Sequence, residues 1–415
     1  MTLSFEPVRP ESLGFSSARL EGMERYLART YVEPGKLPGT MTLIARKGQI
    51  AHWGIQGMAD KERGRKLSPD TIFRIYSMTK PIASVALMIL MEEGLIALDD
   101  PVHRHIPSWK GLGVYKAGNH GAFQTAPTVR PMLVIDLMRH TSGLTYGFQE
   151  RTNVDAAYRK LGIGVFGDKQ ITLEQMVEHL STLPLEFSPG EAWNYSVSTD
   201  IVGYLVQVVS GMKFEEFVRQ RILAPLKMTD TDFMVPPEKR ARFAANYAFA
   251  NGMTFLYDDP EKSSYLAPPV LVSGGGGLVS TMADYYRFCA MMIRGGELDG
   301  VRLLSPKTIQ LMTMNHLPGG ADLPSMSRAL FSEAAYGGIG FGLGLSTTIN
   351  VAETMISGSL GDFSWGGAAS TYFWIDPRED LICIFLTQLL PSTTYNVRRQ
   401  LRMMVYSAMT ESFSG

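Results

Sequence analysis

A serine stands three residues ahead of a lysine, with a proline next, in FRIYSMTKPIA at residues 73–83. A hydroxyl attacks a carbonyl at neutral pH when a base lies within hydrogen-bond reach. Positions i and i+3 of a helix share a face. Ser77 and Lys80 therefore form a nucleophile–base pair if a helix begins near Ser77. Pro81 permits this within the first helical turn, where its missing N–H would have no intrahelical acceptor anyway. The run ASVALMILMEEGL that follows is apolar and helix-forming, and Gly94 supplies a stop. A second Ser-x-x-Lys spacing, Ser210–Lys213, is interrupted by Gly211. Glycine there favours a left-handed cap that breaks the shared face, so this pair reads as structural.

Histidine is the usual base for serine, but the seven histidines offer little. His103 and His105 lack a further ligand cluster at zinc spacing. His140, in RHTSGLT, reads as the end of a helix, where it complements the dipole. No G-x-S-x-G occurs, which removes the nucleophile elbow of the α/β-hydrolases. Tyr195, in FSPGEAWNYSVSTDIVGYL, falls between a turn and a helix, an entrance position suited to facing a cleft. SGGGGLVST has neither the lysine nor the spacing of a phosphate loop and reads as a close backbone approach. SWGGAASTYF reads as a strand with small residues at 366–369, which suits something passing close by, such as a substrate.

The elements that must position these groups follow from periodicity. SSARLEGMERYLART (16–30) reads as a capped amphipathic helix, and MTLIAR and IAHWGIQG flank a hairpin turn at Lys47-Gly48-Gln49. From about 131 to 235 the pattern is mainly helical, including PMLVIDLMRH, ITLEQMVEHLSTL, STDIVGYLVQVVS and FEEFVRQRILAPL. Beyond 240 come two helices, a loop-rich stretch at 316–335, and GIGFGLGLSTTI, SWGGAASTYFWIDP and DLICIFLTQL as successive strands, the last a buried central one. A helix, TYNVRRQLRMMVYSAMTES, closes the chain. The order predicts one sheet built from residues 1–80 and 240–415, with a mainly helical insertion at 81–239 and Ser77 at the junction.

Composition bounds the function classes. The 415 residues exceed one ordinary core, and the net charge of −1 argues against nucleic acid as partner. Cys289 and Cys383 each sit in an apolar stretch and read as buried free thiols. No basic leader with an apolar run opens the chain, and no apolar run is long enough to span a bilayer, so the expectation is a cytoplasmic protein without a membrane partner.

Taken in order, these segments resemble the serine β-lactamase and penicillin-binding-protein superfamily, above all its family VIII carboxylesterases, with LovD-type acyltransferases related. Ser77-Met78-Thr79-Lys80 matches S-x-x-K, Tyr195-Ser196-Val197 stands where the family has its tyrosine motif, and Trp365-Gly366-Gly367 resembles the W-G-G of the esterase branch. HTSGL (140–144), FSPG (187–190), GGLVST (276–281) and FGLG (341–344) resemble further family segments. The resemblance implies an α/β, β-lactamase-like fold: an antiparallel sheet flanked by helices, an inserted helical domain, and the site between them. It implies Ser77 as nucleophile, Lys80 and Tyr195 as the proton-handling pair, and the Ser77 and Ala368 N–H groups as oxyanion donors. Trp365, Gly366, Gly367 and Val197 would contact a small neutral ester, and no cofactor is implied.

Two departures refine this. Val197 replaces an asparagine of the β-lactamases, and Trp365 replaces the lysine that attracts a β-lactam carboxylate. Both exchange polar recognition for apolar contact and favour ester hydrolysis over β-lactam hydrolysis. An acyltransferase, a weak β-lactamase and a non-catalytic module on the same fold are the competing readings.

Overall fold

Two left-handed residues, Lys47 (φ 55°) and Gly48 (φ 70°), fold strand β1 (Gly39–Arg46) back onto β2 (Gln49–Asp60), closing the expected hairpin. The computed structural model describes residues 4–167, 170–328 and 337–413. Among them β1, β2 and β3 (Arg65–Lys66) join strands from the far end of the chain: β4 (Ile339–Phe341), β5 (Ser346–Thr348), β6 (Phe363–Gly366), β7 (Tyr372–Asp376) and β8 (Leu381–Leu386). They form one sheet in the order β4-β5-β6-β7-β8-β1-β2-β3, each neighbour antiparallel. Every residue of the adjacent central strands β8 and β1 is buried.

The period-2 alternation of strands sorts their side chains between two layers. Ile44, Cys383 and Phe385 pack with Leu20 and Met23 of helix α1 (Ser17–Leu27) and with Leu401 of the terminal helix, Val397–Ala408. Leu43, Ile382 and Ile384 face the opposite layer, which contains a helix at Met282–Ile293, and the same apolar cluster continues into helix α2 (Thr79–Glu92). Both cysteines are buried free thiols.

Helix α2 is buried from Thr79 through Leu90, as its apolar run requires. It packs on helix α3 (Ser198–Ser210) within a continuous apolar cluster holding Ile82, Leu87, Ile201 and Leu205. Gly211 (φ 70°) ends α3 in the left-handed conformation and leaves Lys213 outside it, so Ser210 and Lys213 share no helical face. In chain order the helix at Met282–Ile293 is α4 and Val397–Ala408 is α5.

Some expected elements are divided. GIGFGLGLSTTI and SWGGAASTYFWIDP each fold as two antiparallel strands rather than one. In the second, Gly367 N–H donates to Thr371 O (2.9 Å) and Ser370 N–H to Gly367 O (3.1 Å), closing a turn with Ser370 at φ 68°. Strand-like composition on both flanks of this turn hides it from a periodicity reading. Helix α1 stops at Leu27 and passes into a wider turn at Ala28–Val32, and PMLVIDLMRH is helical at Val134–Met138 alone. The loop-rich stretch at 316–335 holds a short helix, Leu323–Met326; residues 329–335 lie outside the described residues.

Candidate active site

The chain approaches Ser77 through a strained step. Tyr76 takes φ 45°, sparsely populated for a residue with a large side chain. Its surroundings hold it there: Asn246 Nδ2 donates to Tyr76 Oη (2.8 Å), and Ile75 N–H donates to Leu278 O (3.2 Å). A single 3₁₀ turn, Tyr76–Met78, then leads into α2. Pro81 is the third residue of that helix, inside the first turn as expected. Tyr285 Oη donates to Met78 O (2.9 Å), and Leu278 N–H donates to Thr79 Oγ1 (3.1 Å), fixing the helix start from the neighbouring layer.

This geometry brings the three chemistry-bearing side chains together. Tyr195 Oη donates to Ser77 Oγ at 2.7 Å, and Lys80 Nζ lies 3.4 Å from the same oxygen. Lys80 Nζ also lies 4.4 Å from the centroid of the Tyr195 ring. Burial raises the Tyr195 phenol above its ordinary range, against the opposing effects of the Ser77 hydrogen bond and of Arg398.

Three participants escape a sequence reading. Lys80 Nζ donates to Tyr146 Oη (3.1 Å) and to the carbonyl of Gly275 (2.7 Å). Gly275 is held in turn by Asp200, which accepts from Gly275 N–H (3.0 Å) and from Ser273 Oγ. Tyr146 belongs to HTSGLTY and Gly275 to the glycine-rich SGGGG, so those segments are close approaches to the lysine. Their significance lies in the space between distant parts of the chain, which spacing does not encode. Burial, followed by Asp200 and Tyr195, pushes the Tyr146 phenol well above its usual range.

Ser77 opens onto a cavity of about 450 Å³. Phe148, Phe166, Met176, Tyr257, Tyr265 and Leu271 give it an apolar wall, and Asp200, Asp258 and Lys262 supply its charged groups. Asp258 is already paired with Arg74 (2.7 Å). Ala368 lines the cavity with Ser77. Among the described residues neither the Ser77 N–H nor the Ala368 N–H donates to a protein acceptor.

The remaining expected contacts sit elsewhere. Trp365 and Val197 are fully buried and do not line the cavity. The Trp365 indole stands behind Tyr195, with ring centroids 5.6 Å apart, because the alternation of β6 turns it into the core. A Cβ added at Gly164 would lie 3.0 Å from Val197 and 2.8 Å from the Tyr146 ring, so this glycine lets the backbone pass close to both. Gly366 and Gly367 do not line the cavity either; a Cβ at Gly366 would lie 2.7 Å from the Arg398 guanidinium, and one at Gly367 would strike Ile75 O. The small residues thus make room for protein.

His140 is buried, with Nδ1 3.2 Å from Ser196 Oγ and its ring among Trp193, Tyr195 and Phe341. Burial and then the neighbouring Lys80 hold it well below its usual range, so it is neutral. A second cavity, about 330 Å³, lies on the α5 side and is lined by Arg398, Arg399, Arg402, Ser346 and Ser364; Ser77 is not part of it. Among the described residues no group of three or more His, Cys, Asp or Glu could hold a metal, and no helix is long and apolar enough to cross a membrane.

A fold of this kind has known counterparts. The beta-lactamase family profile matches residues 25–406, and the chain belongs to that family of serine hydrolases. An uncharacterized protein of Mycobacterium tuberculosis (strain CDC 1551 / Oshkosh) is 35% identical over 88% of each chain. Esterase EstB of Burkholderia gladioli is 28% identical over 85% of this chain and 86% of its own. Among solved structures, EstCE1, described as a hydrolase with promiscuous acyltransferase activity, superposes with a TM-score of 0.78 at 24% identity, covering 96% of this chain and 99% of the other.

Proposed function

We propose that the protein hydrolyses small neutral carboxylic esters through an acyl-Ser77 intermediate. The observation that carries this reading is the convergence of Tyr195 Oη (2.7 Å) and Lys80 Nζ (3.4 Å) on Ser77 Oγ beside an apolar-walled cavity. The similarity to esterase EstB supports it. In this reading the site lies between an α/β unit (1–80 and 240–415) and the helical insertion (81–239).

Ser77 Oγ attacks the ester carbonyl carbon while its proton passes to the Lys80–Tyr195 pair. The carbonyl π electrons move to oxygen, and the Ser77 and Ala368 N–H groups receive that oxyanion. The intermediate collapses, the bond to the alkoxy oxygen breaks, and Tyr195 returns the proton to the departing alcohol. A water molecule, deprotonated by the same pair, then attacks the acyl carbon, and the acid leaves with Ser77 restored. An alcohol in place of water would make the same enzyme an acyltransferase, a reading favoured by the similarity to EstCE1.

Incubation with a fluorophosphonate followed by peptide mass spectrometry tests the proposal. The expected result is a single adduct on Ser77, with butyrate ester hydrolysis abolished by Ser77→Ala and nearly intact in Ser210→Ala. Equal loss of hydrolysis in both folded variants overturns it, as does an unlabelled Ser77.

A further inference from the structure

The turn at 367–371 carries the Ala368 N–H, and its orientation is set from behind by a residue of the terminal helix. Arg398, the second residue of α5, donates through Nη2 to Gly367 O (2.5 Å) and to Thr371 O (2.8 Å). These carbonyls already close the turn, since Thr371 O accepts from Gly367 N–H and Gly367 O from Ser370 N–H. One guanidinium nitrogen thus clamps both ends of the turn. The approach is possible because Gly366 has no side chain, as a Cβ there would lie 2.7 Å from Arg398 Cζ.

Gly367 C=O and Ala368 N–H belong to one peptide unit, and among the described residues the only cis bond is Leu390–Pro391. In a trans peptide the carbonyl and the N–H point in opposite directions. Holding the oxygen on the α5 side therefore aims the N–H toward the Ser77 cavity. A charge-assisted hydrogen bond to the carbonyl also polarises the peptide, which strengthens its N–H as a donor. Burying a guanidinium is costly, and burial lowers the proton affinity of Arg398 from its ordinary range; the two Nη2 hydrogen bonds to the turn offset part of that cost.

We propose that Arg398 is a positioning residue for the oxyanion site, acting through the Gly367–Ala368 peptide to aim and polarise the Ala368 N–H. This rests on the acyl-Ser77 reading above. It adds a C-terminal helix residue to a site otherwise assembled from the starts of α2 and α3, the loops that meet them and the turn at 367–371.

The test compares Arg398→Met and Arg398→Lys in the full chain with the unsubstituted protein, active sites being counted by fluorophosphonate titration. Two readouts are taken: kcat and KM for a neutral aryl ester, and the affinity of phenylboronic acid, whose tetrahedral adduct on Ser77 places an oxygen where the oxyanion forms. Loss of one oxyanion donor costs about a hundredfold or more in kcat, so a misaimed one should cost about tenfold to a hundredfold. The expected result for Arg398→Met is that loss in kcat per titrated site, an unchanged KM and a parallel weakening of the boronate. Arg398→Lys, which keeps the charge without the fork, should fall between. Unchanged kcat and boronate affinity in either folded variant overturn the inference alone. Equal ester turnover by the unsubstituted protein and Ser77→Ala overturns the esterase reading first, and this inference with it.

Discussion

Tyr195 Oη lies nearer the nucleophile than Lys80 Nζ does, 2.7 Å from Ser77 Oγ against 3.4 Å. The phenol donates in that bond and is held above its ordinary range by burial, so it rests protonated and is set to deliver a proton to a leaving alcohol. Lys80, packed against the same ring, completes the unit that accepts the serine proton.

If the pair works as one device, Lys80→Ala and Tyr195→Phe should each lower kcat for a butyrate ester by roughly a thousandfold, and the double variant by little more. Steady-state kinetics on all three variants measures this. Small, additive losses would mean that another group accepts the proton.

Tyr146→Phe removes the hydroxyl 3.1 Å from Lys80 Nζ while keeping the ring stack on Phe148 (centroids 4.6 Å apart). The expected loss is about tenfold in kcat, on the scale of one hydrogen bond. In the Lys80→Ala background the same substitution should change nothing further, and a double-mutant cycle checks that. Full additivity would place Tyr146 outside the lysine's environment.

His140 is neutral in the folded protein because burial and Lys80 depress its proton affinity. The unfolded chain binds a proton there below about pH 6.5, so this contribution is present above that pH and lost as the pH falls. The expected slope from this one group approaches about 1.4 kcal/mol per pH unit at low pH. Urea unfolding at pH 5, 6 and 7 should show a shallower acid loss in His140→Gln than in the unsubstituted protein. Identical slopes would mean that the imidazole is protonated in the native state.

Carboxylate-bearing substrates meet an unfavourable cavity. Its described charged lining is Asp200, Asp258 and a single lysine, Lys262, while the Arg398 clamp binds the turn from the α5 side. An unpaired buried charge costs several kcal/mol, and about 4 kcal/mol corresponds to roughly a thousandfold in rate. Short neutral aryl esters should therefore exceed a cephalosporin in kcat/KM by about that factor, measured on one preparation. Comparable values would show that a cation reaches the carboxylate, and Lys262→Ala would then identify whether it is that lysine.

The sequence by itself determined the local features whose cause is local. The i, i+3 spacing, the first-turn proline and the apolar run specify α2 with Ser77 and Lys80 at its start, and Gly211 removes the competing pair. Lys47-Gly48 specifies the hairpin, and DLICIFLTQL the central strand. Tertiary structure alone decided what surrounds the lysine and what lies behind the oxyanion turn. Tyr146, Gly275 and Asp200 meet Lys80 from segments 66 to 195 residues away, or through one another. Trp365 and Val197 were legible as apolar replacements, but the alternation of β6 and the packing at the start of α3 turn them into the core instead of toward a substrate. The glycines at 366 and 367 signalled a close approach without saying to what. Their partners, Arg398 and Ile75, come from distant parts of the chain, and only the assembled sheet brings them to the same turn.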